Sequence, residues 1–152
     1  MSLFSGEFVK VADASTCGAY KIQNSVHLEI DLVAASATKG YVFIAPVPYQ
    51  VVAVREIHAV AGGSGATFNL ERLVAGTAPG SGIAILTTAM PLNGTANTSQ
   101  STAASNIVNT PGTSGTQLAA GDSLGFSLAG TLTGLANCTV QVTLAKVTLI
   151  CQ

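Results

Sequence analysis

The chain has 152 residues, of which 9% are charged and 48% hydrophobic, with no tryptophan and a formal net charge of -1. Soluble domains usually carry about 25% charged residues, so this surface is built from small polar side chains, glycine and backbone, or is covered by other protein. The six Lys and Arg are scattered singly. Nucleic-acid binding needs clustered basic side chains to displace counterions, and is not expected on that ground.

No stretch reaches the roughly 20 apolar residues that a spanning helix needs. The longest candidate, around Gly40 to Val54, is broken by Pro46, Pro48 and Gln50. The first residues, Met1-Ser2-Leu3-Phe4-Ser5-Gly6-Glu7, lack a basic start followed by an apolar run, so no secretory signal is expected. Cys17, Cys138 and Cys151 form an odd set without metal-ligand spacing. They read as free, buried thiols of a chain folded in a reducing cytoplasm.

Taken along the chain, residues 1–20 form a loosely patterned region, either an arm or an edge strand, in which Phe4, Phe8 and Val11 are the docking candidates. Glu7 to Val11 is a short strand candidate within it. Ile22 to Leu32 alternates: Ile22, Val26, Leu28, Ile30 and Leu32 are apolar, while Gln23, Ser25, His27, Glu29 and Asp31 are polar, with Asn24 the exception. That is a half-buried strand. Tyr41 to Val47 and Val51 to Val60 are almost continuously apolar and are expected to be strands buried on both faces. Ala66 to Val74 and Ile83 to Thr87 follow, separated by Gly76, Pro79, Gly80 and Gly82.

Asn93 to Gln117 is rich in Asn, Thr, Ser, Ala and Gly, with Asn106-Ile107-Val108 as its apolar island. It reads as a long loop or an extended edge segment, and a loop of that length is often functional. Beyond it, Leu124, Phe126 and Leu128 alternate with Ser123, Gly125 and Ser127. Cys138, Val140, Val142 and Leu144 alternate with Thr139, Gln141 and Thr143. The phase then slips after Ala145-Lys146 to Val147 and Leu149, as a β-bulge would make it. About eight or nine short strands without an amphipathic helix predict an all-β antiparallel sandwich or barrel. One domain is expected, with residues 21–152 as the sandwich and 93–117 as its long segment.

Few groups could do chemistry. His27, Glu29 and Asp31 share one strand face, about 7 Å apart, which suits a solvated face better than a three-ligand cation site or an acid–base pair. Arg55 and Glu56 are adjacent in a strand and so face opposite sides, as do Glu71 and Arg72. At least one of these four is expected in an ion pair across strands or subunits; short wet edges are the alternative. Phe4, Phe8, Arg55, Glu56, Glu71 and Arg72 are therefore the candidates for contact with a subunit or another protein. His58 reads as a satisfied structural histidine.

Gly62-Gly63-Ser64-Gly65 lies between strands without a following helix, so it is a turn and not a phosphate loop. Asn93-Gly94-Thr95, Asn97-Thr98-Ser99 and Asn137-Cys138-Thr139 match the glycosylation pattern, which carries no meaning without secretion. No catalytic residue, metal or cofactor is expected. An enzyme would need two converging carboxylates, such as Glu29 with Glu71.

The stretches Val51-Val52-Ala53-Val54-Arg55-Glu56-Ile57-His58, Gly65-Ala66-Thr67-Phe68-Asn69-Leu70-Glu71-Arg72-Leu73 and Leu118-Ala119-Ala120-Gly121-Asp122-Ser123-Leu124-Gly125-Phe126-Ser127-Leu128, with Gly130-Thr131-Leu132, resemble small virion proteins of tailed bacteriophages. The kind is the capsid decoration (cement) or head-fibre protein, and the resemblance runs over residues 25–148 or so. It implies a jelly-roll sandwich and a homotrimer. It also implies a place on the outer capsid surface, where such trimers bind the major capsid protein at capsomer junctions, after assembly in the host cytoplasm. A receptor- or glycan-binding fibre tip is the alternative. Asn106 to Thr116 departs from the pattern as an insertion.

Overall fold

Period-two patterning becomes two antiparallel sheets in the computed structural model, which describes residues 20–32, 38–108 and 117–149. The strands are β1 (Tyr20–Leu32), β2 (Lys39–Ile44), β3 (Tyr49–Val60), β4 (Thr67–Leu73), β5 (Ile83–Ala84), β6 (Met90–Pro91), β7 (Gln100–Ser101), β8 (Gln117–Leu118), β9 (Ser123–Ala129) and β10 (Ala136–Leu149). One sheet runs β1-β10-β3-β7, with β8 also on β3; we call it sheet A. The other, sheet B, runs β2-β9-β4-β5, with β6 also on β4. The chain changes sheet at each step from β1 to β4 and again from β9 to β10, and β1 pairs with β10 and β2 with β9 in nested fashion. That is the jelly-roll arrangement expected from the sequence. The only helical turn among the described residues is a 3-10 turn at Ala104–Asn106. No helix of the described residues is long and apolar enough to cross a membrane.

The core lies between the sheets. Val51, Val54, Val140, Val142 and Leu144 of sheet A meet Phe68, Leu70, Leu124 and Phe126 of sheet B. The rings of Phe68 and Phe126 stack at 6.0 Å between centroids, and Phe43 meets Tyr49 edge-on at 5.4 Å. Each such side chain contributes about 1.5–3 kcal/mol when fully buried.

The expected phase slip near the C-terminus is present. Leu144 and Ala145 are both buried, and Val147 continues the inward set. The register of β10 against β3 shifts between Thr143 and Leu144, and that of β1 against β10 shifts between Gln23 and Ser25. Asn24, the exception in the β1 alternation, is the residue passed over.

The expectation that Tyr41 to Val47 and Val51 to Val60 are buried on both faces is corrected. A two-layer sandwich covers one face of each strand, and the outer faces of these two carry exposed Tyr41, Ile44, Arg55 and Ile57. The first strand also stops at Ile44, before Pro46. The Gly62–Gly65 turn joins β3 of sheet A to β4 of sheet B, with its Gly62 and Gly63 amides donating to the Leu92 and Thr131 carbonyls. The expected strand Ile83 to Thr87 shortens to two residues, extended by a bridge between Leu86 and Ile107.

The Asn, Ser and Thr-rich segment is an edge and not a free loop over its described part. Asn97 N–H donates to the His58 carbonyl, Gln100–Ser101 pairs with Arg55–Glu56, and Thr102 N–H donates to the Val54 carbonyl. The chain then crosses to sheet B. Ile107 enters the core, while the Asn106 side chain bonds both the amide and the carbonyl of Thr88. Residues 109–116 lie outside the described residues.

Candidate functional site

Glu56 and Arg55 point to opposite sides of β3, as adjacent strand residues must. Glu56 turns inward and is 2% exposed. Its Oε2 lies 2.9 Å from Nδ1 of His58, two residues along the same face, with both side chains wholly buried. The other ring nitrogen, Nε2, is 3.2 Å from the Gly94 carbonyl. A carbonyl only accepts, so Nε2 is the donor to Gly94. His58 thereby ties the segment after β6 to sheet A, through its ring and through its own carbonyl. It is the satisfied structural histidine expected.

Cys138 sits opposite His58 in the β10 register, with Sγ 4.0 Å from the same carboxylate oxygen. Burial, and then the Glu56 carboxylate, push its thiol from 9.0 up to about 12. It is the free, buried thiol expected; Cys17 and Cys151 lie outside the described residues. Glu56 Oε1 and Gln100 Nε2 are buried without a hydrogen-bond partner, although the two residues are register neighbours on β3 and β7.

Glu71 is on the outer face of sheet B, yet only 5% exposed. The segment from Val74 to Gly82 folds back over it. The amides of Gly80 and Gly82 donate to Oε2 at 2.8 and 3.3 Å, and the Ser127 hydroxyl donates to Oε1. Leu73 is trapped beside it between two glycines. A Cβ at Gly82 or at Gly125 would come within 2.5 Å of a Leu73 methyl and displace it, and at Gly82 it would also meet the Arg72 carbonyl at 2.7 Å.

Arg72 takes the inward side at the end of β4 and forms an ion pair with Asp122, Nε to Oδ2 at 2.6 Å. The same oxygen accepts the Ala119 amide at 2.8 Å, fixing the turn that leads into β9. The expected ion pair across strands is therefore Arg72–Asp122. Asp122 was not among the sequence candidates; its signal is an aspartate next to Gly121 in a turn, a residue type that bonds backbone amides there.

Glu56, Glu71 and Arg72 thus each take a partner inside the chain, and Arg55 is the described contact candidate left exposed. Phe4 and Phe8 lie outside the described residues. His27, Glu29 and Asp31 line the outer face of β1. His27 Nδ1 is 3.1 Å from the Thr143 hydroxyl, and Thr139 donates to Asp31 at 2.9 Å. Among the described residues no three His, Cys, Asp or Glu side chains converge as a metal site. Glu29 and Glu71 belong to the outer faces of opposite sheets, so they do not form a catalytic pair.

Sequence periodicity passed over one surface. The register of β2 against β9 shifts between Tyr41 and Phe43. This bulge sets Tyr41 and Ile44 on the same outer face, 64% and 68% exposed. Lys39 is the charged neighbour on that strand. Two outward apolar residues three apart, where strict alternation would separate them, are the trace of the bulge in the sequence.

No family model matches this chain, and no curated protein matches it. Among solved structures, a chain from the cyanophage Pam1 capsid asymmetric unit is similar with a TM-score of 0.46 and 14% identity, covering 97% of this chain and 99% of that chain.

Proposed function

We propose that this chain is a structural virion protein. It decorates a phage capsid as a homotrimer, binding the major capsid protein at capsomer junctions and stabilising the shell without catalysis. The observation that carries this reading is the fate of the charges. Glu56, Glu71 and Asp122 are buried, and with Arg72 they fasten loops and strands to one another. What remains outside includes Tyr41 and Ile44 with a single lysine on their strand, an apolar patch of the sort that marks protein contact. The motif resemblance described above points the same way.

The test is to add purified protein to heads that lack it and to follow co-sedimentation, particle melting and cryo-EM density. Saturable binding at capsomer junctions and a higher melting temperature of the heads are expected. Binding to cell-surface polysaccharide with no retention on heads would replace this reading with the fibre-tip one.

A further inference from the structure

Exposed charge on the described part of this chain is concentrated in one place. Glu29, Asp31 and Arg55 all lie on the outer face of sheet A, while Lys39 lies on sheet B. The register orders them. Glu29 of β1 is opposite Gln141 of β10, which is opposite Arg55 of β3, which is opposite Ser101 of β7. Glu29 and Arg55 therefore occupy one row but stand two strand spacings apart, about 9–10 Å, with Gln141 between them. The two are not paired with each other, and neither has an ion-pair partner among the described residues. The acids sit together on the β1 flank. Arg55 sits on the β3 flank, beside Ile57, which is 43% exposed, and the half-exposed Lys146 lies further along the central strand β10.

We propose that this face docks a second copy of the same chain, head to tail, with Arg55 of one copy paired to Glu29 of the next. A three-fold ring is built from a heterologous contact, in which one patch meets a different patch on the neighbour. The chain must then carry both complementary halves, at separate places and not paired with each other. The two flanks of sheet A meet all three conditions. Charge of this kind sets register and excludes wrong partners, while Ile57 supplies apolar contact next to the cation.

This inference rests on the homotrimer reading, and the experiment separates the two. Sedimentation velocity of the full chain is compared with Arg55→Glu, Glu29→Arg and the double swap, with thermal melting of each as the folding control. Both sites are exposed, so each variant is expected to keep the cooperative unfolding of a folded chain, with a melting temperature lowered only by the lost association. Each single swap sets like charges against each other and weakens association at least tenfold; the double swap restores it. Single swaps that stay fully trimeric, or a folded double swap that stays dissociated, would overturn the Arg55–Glu29 contact and leave the trimer standing. A parent chain that is monomeric at every concentration would remove the trimer itself.

Discussion

Nδ1 of His58 lies 2.9 Å from Oε2 of Glu56, and both side chains are closed off from solvent. The two leave β3 on the same face, two residues apart, so the strand itself aligns them. Removing either one leaves the other buried without its partner. Replacing His58 or Glu56 by alanine is expected to destabilise the fold by about 3–5 kcal/mol. Urea unfolding checks this. The double replacement should lose clearly less than the sum of the singles, because the partners share one interaction.

Glu71 is a clamp on the segment that covers it. Glu71→Ala strips an acceptor from the Gly80 and Gly82 amides and from the Ser127 hydroxyl. A loss of about 1–3 kcal/mol is expected. Proteolysis between Val74 and Gly82, together with hydrogen exchange at the Gly80 amide, should accelerate well before the rest of the sandwich opens.

Arg72 and Asp122 join the end of β4 to the start of β9. With side chains only 13% and 8% exposed, the pair is shielded from salt. A double-mutant cycle with Arg72→Ala and Asp122→Ala should return a coupling of about 1–3 kcal/mol, little changed between low and high ionic strength.

The Cys138 thiol is held protonated. Burial and Glu56 raise it to about 12 in the folded chain, against 9.0 for a free thiol. The folded state therefore keeps a proton that the unfolded state releases. This contribution is fully present below pH 9 and is lost as pH rises from there towards 12. In a Cys17→Ser/Cys151→Ser background, alkylation at pH 8 should be as slow as global unfolding. Cys138→Ala should flatten the loss of stability between pH 9 and 11.

Tyr41 and Ile44 are 64% and 68% exposed, so little of either is held by the fold. Replacing both by serine should change the unfolding free energy by no more than about 0.5 kcal/mol, while retention on capsid heads falls sharply. Unchanged retention would move the docking surface elsewhere.

Much of the frame was legible in the sequence. The alternation in Ile22 to Leu32 and in Cys138 to Leu144 became β1 and β10, including the slip beside Ala145. Period two, however, separates the faces of a strand without saying which is covered. Arg55 and Glu56 were equivalent until the opposing sheet chose Glu56 for the interior. Glu71 was harder still, because its cover comes from the Gly and Pro-rich segment after β4, and that pattern announces a turn but not where it folds. The strands β5 to β8 hold two residues each, too few for any periodicity. Tyr41 to Val47 misled for a physical reason: its outer side is apolar although no second layer covers it.

The nesting of β1 against β10 has a consequence for how the molecule is made. β10 is the middle strand of sheet A, flanked by β1 and β3, and it is the last strand along the described chain. Until the ribosome has released it, β1 and β3 have no neighbour to bridge them, and their apolar sides stay open. Closure then joins residues more than a hundred positions apart, such as Leu28 and Val142, a topology that folds slowly. The growing chain thus passes through a long interval in which aggregation competes with folding. Deletions within β10 should yield inclusion bodies and not a smaller sandwich.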